Sequence, residues 1–411
     1  MPGPARGVLY VSYDGVLEPL GESQVVAYLE RLARDVPLSL LTFEKPVDLA
    51  DAGRRQRMAD RLRSCGITWV PLPYHRRPPV LSTIADVCRG LWWALPRARR
   101  GEFAVVHARS YVAALIALAL KRAAGCAFLF DMRGFWVDEK ADAGQWRRGG
   151  WLYRAGKWFE RRFFASADAI VSLTRRGVEA FATLGYEMQP GVIVEVIPTC
   201  TDLERFVPAP GDDRAAGRPR VVGYVGTLSN WYLREETLAY LAWLDRQMDG
   251  LQFLFVTRED HQRLRDDAMR AGIPGERLTI RQATFAEMPA LVRGMDIGVF
   301  FIRPCFSKLA SAATKLGEFL ASGVPVVINA GIGDSGDFVR DHGVGVVLPE
   351  ATPQAFEASL APVRAVLADP SARARCRAAA EYFRLERGVD AYRRIYEALL
   401  AGGGPHPRGA A

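Results

Sequence analysis

Six cysteines in 411 residues, at positions 65, 88, 126, 200, 305 and 376, form no CxxC pair. That scatter argues against a disulfide framework and against a zinc site, and it favours a reducing compartment. Long apolar runs are lacking too. The longest clean one, 112–120, falls far short of the roughly 18–20 residues needed to span a bilayer. The start, Met1-Pro2-Gly3-Pro4-Ala5-Arg6, has no signal-peptide character and leads straight into a short apolar segment. No GxGxxG follows the first expected strand, and no acidic residue closes a second one, which excludes the usual nicotinamide or flavin reading. No nucleic-acid-binding module is recognisable and the charge is dispersed, so no nucleic-acid partner is expected. The expectation is a cytoplasmic chain.

What is present is ordinary in bulk: 49% hydrophobic and 24% charged residues, as in soluble proteins. The length suits two domains better than one core. A net charge of +8 fits an anionic partner, and it fits equally an arginine-rich, GC-rich genome.

Periodicity predicts alternating strands and helices. Residues 8–13 form a short apolar run suited to a buried parallel strand. A helix over 23–34 and a strand over 38–43 follow. Further strands are expected at 67–72, 104–107, 127–131, 169–173 and 192–197. Helices fall at 84–99, 111–124 and 151–166, with an irregular loop over 132–139. The Pro/Gly/charged stretch 206–220 has no periodicity and reads as a linker. Strands at 221–225, 251–257, 278–281, 297–302 and 325–329 then alternate with helices at 234–247, 260–271, 286–293 and 336–342. Helices over 354–368 and 370–400 close the fold, and 401–411 has nothing to bury and is expected to be disordered. The fold class is α/β, with two Rossmann-like halves. Such sheets bind ligands outside the carboxyl ends of their strands, so a cleft between the halves is the default site.

One stretch stands out. Arg303-Pro304-Cys305-Phe306-Ser307-Lys308 is a basic loop leading into a helix that carries Lys315 and Glu318. Leu316, Phe319 and Leu320 give that helix one apolar face, and Gly323 stops it. A basic loop at a helix start suits an anion. The segment Thr314-Lys315-Leu316-Gly317-Glu318-Phe319-Leu320-Ala321-Ser322-Gly323-Val324-Pro325 resembles the nucleotide-sugar site of GT-B glycosyltransferases in the large retaining group called family 4. Four further motifs extend the resemblance along the chain. They are Leu9-Tyr10-Val11-Ser12-Tyr13-Asp14-Gly15 with Pro19-Leu20-Gly21-Glu22-Ser23-Gln24, then His107-Ala108-Arg109-Ser110-Tyr111, Phe130-Asp131-Met132-Arg133-Gly134-Phe135-Trp136, and Ile197-Pro198-Thr199-Cys200-Thr201-Asp202.

The resemblance implies a GT-B enzyme whose two Rossmann-like domains face each other across a cleft. An acceptor-binding domain would span 1–205, a linker 206–220 and a nucleotide-sugar domain 221–378. A final helix, 379–400, would cross back to the first domain. The donor would be a UDP-, GDP- or similar sugar and the acceptor a glycan or lipid-linked hydroxyl, in bacterial polysaccharide or glycolipid synthesis. No cofactor or metal is implied, and the sequence has neither a DxD triplet nor a His/carboxylate cluster at ligand spacing.

Glycosyl transfer expels a nucleoside diphosphate, so the site needs preorganised cations. Family members place an Arg and a Lys in the loop after the first strand of the second half; here 226–232 has neither. The first acid of the family's glutamate pair would fall at Ala310. Donor binding is therefore assigned to Gly15, Gly226, Ser229, Arg258, Arg303, Lys308, Lys315 and Glu318, with Glu318 on the ribose. His107, Asp131 and Arg133 are the catalytic candidates, because ionised groups at the end of a buried strand are costly without a purpose. A structural ion pair and a satisfied core histidine are the competing readings. Gly21, Ser23, Asp138 and Glu139 are acceptor-side candidates; glycine in the 14–23 loop would let amides approach a phosphate or sugar, or simply make a tight turn.

The stretch 147–164 mixes aromatics with six cations and one acid, which suits an anionic membrane surface and suits equally a helix packed on its own sheet. Trp92-Trp93 beside Arg97, Arg99 and Arg100 is a second such contact, so a peripheral place on the inner face of the cytoplasmic membrane is an expectation. Two other readings stand. One is a sugar-nucleotide 2-epimerase, faintly suggested by Gly333-Asp334-Ser335-Gly336. The other is a non-catalytic sugar-nucleotide-binding protein.

Overall fold

The computed structural model describes residues 6–209 and 218–402. Most of the expected linker and nearly all of the expected tail lie outside the described residues. Residues up to Pro198, joined by those from Glu386 onward, form one compact unit, and Thr199–Leu385 form a second.

The first unit is built on β1 (Gly7–Ser12), β2 (Leu38–Glu44), β3 (Thr68–Pro73), β4 (Phe103–Arg109), β5 (Ala127–Asp131), β6 (Ala169–Ser172) and β7 (Ile193–Val196). Their order is β3-β2-β1-β4-β5-β6-β7, and each pairing is parallel. Helices cover both faces of such a sheet, so its central strands read as continuous apolar runs; all six residues of β1 are buried. Strand order reverses between β1 and β4, where Ser12 lies beside Arg109, and that switch point is where a doubly wound sheet takes its ligand.

Helices Leu81–Arg99, Ser110–Ala124 and Trp151–Ser166 connect β3 to β4, β4 to β5 and β5 to β6. All three crossovers step the same way along the sheet, so right-handed connections lay these helices side by side on one face. The middle helix packs against both neighbours. The closing helix, Leu385–Gly402, buries Val389, Tyr392, Ile395, Tyr396 and Leu399 at helical spacing. From Glu386 onward it belongs to the first unit.

The second unit contains β8 (Arg220–Val225), β9 (Leu251–Val256), β10 (Leu278–Arg281), β11 (Ile297–Phe300), β12 (Val326–Asn329) and β13 (Gly345–Leu348). The order β10-β9-β8-β11-β12-β13 repeats the same reversal, between β8 and β11. Leu203 and Phe206 belong to this unit's core. The Arg377 guanidinium donates to the carbonyls of Leu203, Phe206 and Ala321, and Thr201 pairs with Arg384. These contacts place the division at 198/199 and 385/386, whereas the resemblance implies 205 and 378/379.

Other differences have local causes. The expected loop 132–139 becomes a helix at Trp136–Asp142, because the chain turns earlier, through positive φ at Arg133 (57°) and Gly134 (136°). The closing helix of 370–400 is broken into Ala372–Ala379, a 3-10 turn Ala380–Phe383 and Leu385–Gly402. Helices outside the expected elements include Pro46–Ala50, Ala52–Ser64, capped by the Asp51 carboxylate on the Arg54 amide, and Arg175–Leu184, capped by Thr174. Among the described residues no helix is long and apolar enough to cross a membrane.

Candidate active site

In the second unit, β8 is followed by Gly226, whose φ of +98° suits glycine. A Cβ there would stand 3.3 Å from the Lys315 ammonium. Lys315 reaches this point from helix Thr314–Ala321, which follows β11. Its Nζ lies 3.8 Å from the Tyr232 ring centre, 4.6 Å from Tyr224 and 5.3 Å from Phe300. Aromatic faces attract a cation, yet the residue is only 7% exposed and Nζ has no hydrogen-bond partner among the described residues. Burial lowers its pKa to about 7, against a weaker opposing pull from Glu318. Glu318, one turn on and half-buried, is pushed up to about 7 by burial, opposed by Lys315 and Arg205.

The 226–232 loop is held from outside itself. The Glu259 carboxylate accepts from the Leu228 amide (2.9 Å), the Thr227 hydroxyl and Arg234 (2.7 Å). Burial raises the Glu259 pKa, and the bonds from Thr227, Ser229 and Arg234 outweigh it, leaving the carboxyl below its usual range. The far end is pinned by Arg303 N to Trp231 O (2.8 Å) and Leu233 N to Phe301 O (3.0 Å). Asn329, ending β12, bonds both the amide and the carbonyl of Ile302 at 2.8 Å.

Seven of the eight donor candidates therefore gather around the β8–β11 switch point, with differing environments. Arg258 and Arg303 are exposed after β9 and β11, and their guanidinium groups have no partner among the described residues. Ser229 is exposed and shares a hydrogen bond with Thr227. Lys308 lies in the 3-10 turn Phe306–Ala310, is buried, and places Nζ 3.8 Å from the Trp231 ring centre.

In the first unit, Asp131 ends β5 with no exposure. Its Oδ2 accepts from the Tyr392 hydroxyl at 3.0 Å. His107 Nε2 and Arg109 stand 3.6 and 3.9 Å from Oδ2, and Arg133 stands 3.9 Å from Oδ1; all three are too long for hydrogen bonds, and the two arginines lie at ion-pair distance. Burial raises the Asp131 pKa, but Arg133 chiefly, then His107 and Arg109, bring it below the ordinary carboxylate value. His107 shares a 2.7 Å hydrogen bond through Nδ1 with the Tyr396 hydroxyl and packs on Tyr10. Burial lowers its pKa, against an opposing pull from Asp131. His107 Nε2 and Asp131 Oδ1 are buried without a hydrogen-bond partner among the described residues. His107, Asp131 and Arg133 are thus brought together as expected. Tyr10, Arg109, Tyr392 and Tyr396 complete the cluster.

Two expectations change role. The 14–23 loop closes on the buried Glu44 carboxylate, which accepts from the amides of Val16 (2.9 Å) and Leu17 (3.2 Å). A Cβ on Gly15 would lie 2.3 Å from Glu44 Oε2, and one on Gly21 would lie 2.2 Å from the Gly15 carbonyl. Both glycines serve close packing, and those amides are already engaged. Ser23 donates to Leu20 O. Asp138 is buried and turned to the helix Trp151–Ser166, accepting from Tyr153 and Lys157 at 2.8 Å each. It is spent on holding that helix, and the neighbouring Glu139 rides on the same short helix. Asp138 is thereby engaged outside the His107–Asp131 cluster.

Residues 22–199 match the Glycosyl transferase 4-like domain family. The chain carries that domain on a GT-B fold, and is a glycosyltransferase. No curated protein matches its sequence. Among solved structures, sucrose-phosphate synthase from Thermosynechococcus elongatus is similar to the enzyme with a TM-score of 0.69 at 16% identity, over 97% of this chain and 100% of that one. Anabaena HepE, in complex with UDP and glucose, gives 0.67 at 15% identity over 96% and 100%. A glycosyltransferase from Rickettsia africae gives 0.69 at 13% over 97% and 99%. Identities this low establish the shared fold.

Proposed function

We propose that this glycosyltransferase is a retaining enzyme that moves a sugar from a nucleoside-diphosphate donor to a hydroxyl of a glycan or lipid-linked acceptor in bacterial polysaccharide or glycolipid synthesis. The observation that carries the reading is Lys315: a buried ammonium without a hydrogen-bond partner among the described residues, set against Gly226 at the switch point of the second sheet. An isolated buried cation is costly. A donor diphosphate relieves that cost, and the same contact strengthens as negative charge grows on the leaving group. Lys315 thereby takes over from the arginine and lysine missing from 226–232, with Arg258 and Arg303 at the exposed rim. Glu318 accepts from the donor ribose. Support for a uridine donor is the UDP bound by HepE.

On the acceptor side, Asp131 supplies a fixed negative charge, and its Oδ1 and His107 Nε2 are the polar atoms left without a partner to orient a hydroxyl. The reading invokes no cofactor and no metal. It places the enzyme in the cytoplasm, peripheral to the inner face of the membrane when its acceptor is lipid-linked.

A thermal-shift panel of UDP- and GDP-sugars, followed by product analysis of each hit, tests the proposal. A UDP-sugar should raise Tm and yield transfer or slow hydrolysis. Isomerisation at the sugar C2 would make the protein an epimerase, and binding with no turnover a non-catalytic binder.

A further inference from the structure

The helices Leu81–Arg99, Ser110–Ala124 and Trp151–Ser166 form one layer over the first sheet, and the outer side of that layer has an unusual composition. Twelve large apolar side chains are exposed among the described residues, and six of them are Leu81, Ile84, Trp92, Trp151, Trp158 and Phe159, on the two flanking helices. Trp92 is 81% exposed, Trp151 70% and Trp158 50%. The helical repeat accounts for this geometry. Leu81, Ile84, Cys88 and Trp92 follow one stripe, opposite the buried stripe Ser82, Asp86, Gly90 and Ala94. Trp151, Arg154, Trp158 and Arg162 follow another, opposite Glu160, Phe163 and Phe164.

Charge is just as one-sided. The three helices carry nine Lys and Arg residues against two acids, Asp86 and Glu160, and both acids are fully buried. The three helices therefore expose arginines and no carboxylate of their own; the neighbouring acids Glu102 and Asp168 pair with Arg97 and Lys121 at the helix ends. Arg162 lies 5.1 Å from the Trp158 ring centre, a cation held beside an amphipathic ring. Exposed apolar clusters mark interaction sites, and tryptophans interleaved with arginines suit the boundary between headgroups and acyl chains.

We infer that this three-helix layer is the face by which the enzyme docks on an anionic lipid surface, with the tryptophans entering the headgroup region and the arginines pairing with lipid phosphates. The inference rests on the lipid-linked-acceptor reading only for its purpose. Vesicle binding is measured without donor or acceptor, so failure of either idea leaves the other testable.

The experiment is flotation of the full chain with phosphatidylcholine vesicles, with and without phosphatidylglycerol. Recovery should require phosphatidylglycerol and fall as salt rises. Arg161→Gln with Arg162→Gln, both on the exposed side, should weaken binding about fivefold per charge removed. Trp92→Ala with Trp158→Ala should weaken it further, on the order of tenfold, with the Tm of each variant unchanged. Equal recovery from neutral and anionic vesicles overturns the proposal. So does a concentration-dependent dimer that the tryptophan variants abolish, which would assign the face to a second copy of the chain.

Discussion

Asp131 and Lys315 hold comparable places, each buried near the switch point of a doubly wound parallel sheet, and their surroundings differ in one respect. Asp131 has two arginines, a histidine and the hydroxyl of Tyr392 around it. Lys315 has three aromatic rings and a carboxylate one turn away, and no hydrogen-bond partner among the described residues. In the first unit the fold compensates its own charge. In the second it leaves a cation for which a ligand is the natural counter-charge. Under the proposed function, the contrast separates a self-compensated acceptor-side framework from a donor pocket.

Opposite signs in stability break or confirm that comparison most directly. Asp131→Leu strands Arg109 and Arg133 without their carboxylate and should cost about 3–5 kcal/mol in urea unfolding. Lys315→Met removes a buried charge that nothing pairs, so stability should stay at or above wild type. The same variant should lose about 1.5–3 kcal/mol of UDP affinity by calorimetry, the usual worth of hydrogen bonds to a charged group. A large destabilisation by Lys315→Met would show that its cation is structural after all.

The pH dependence sharpens the same point. Lys315, with a folded pKa of about 7 against the usual 10.5, binds fewer protons folded than unfolded across that interval, so its contribution makes stability rise with pH there. Glu318, raised from 4.5 to about 7, binds more protons folded than unfolded, so its contribution makes stability fall as pH climbs through that range. The donor-free enzyme should therefore show a dip in stability near neutral pH in urea melts. Lys315→Met should remove the alkaline rise and Glu318→Gln the acidic fall.

The smallest effect belongs to Tyr396→Phe. Losing its 2.7 Å bond to His107 Nδ1 should cost about 1 kcal/mol and leave the donor-induced Tm shift unaltered. A weakened donor response in this variant would join the two clusters in function and undo the distinction.

Much of this was legible in the chain. Strands such as 127–131 and 278–281 and helices such as 151–166 and 234–247 carry clean periodicity, and the structure places them at those bounds. The donor-side candidates 226, 229, 258, 303, 308, 315 and 318 all fall near one switch point. Glu259 and Arg234, which hold the 226–232 loop, went unnoticed because a surface-type ion pair on two helix approaches has no sequence signature. Tyr392 and Tyr396 read only as part of a helix's apolar stripe; their hydroxyl partners lie 261 and 289 residues away. Gly15 read as a ligand-loop glycine because the Glu44 carboxylate that fills its place sits on the neighbouring strand.

By itself the sequence determined the alternation of strands and helices, the two-unit α/β plan and the i, i+3 placement of Lys315 and Glu318, since these depend on local periodicity. Tertiary structure alone decided which charges are compensated. It set Lys315 among Tyr224, Tyr232 and Phe300, buried Lys308 against Trp231, spent Asp138 on Lys157, and left Trp92, Trp151 and Trp158 exposed on the two helices that flank Ser110–Ala124. Charge pairing depends on distances of a few ångströms between residues far apart in the chain, and no local pattern encodes them.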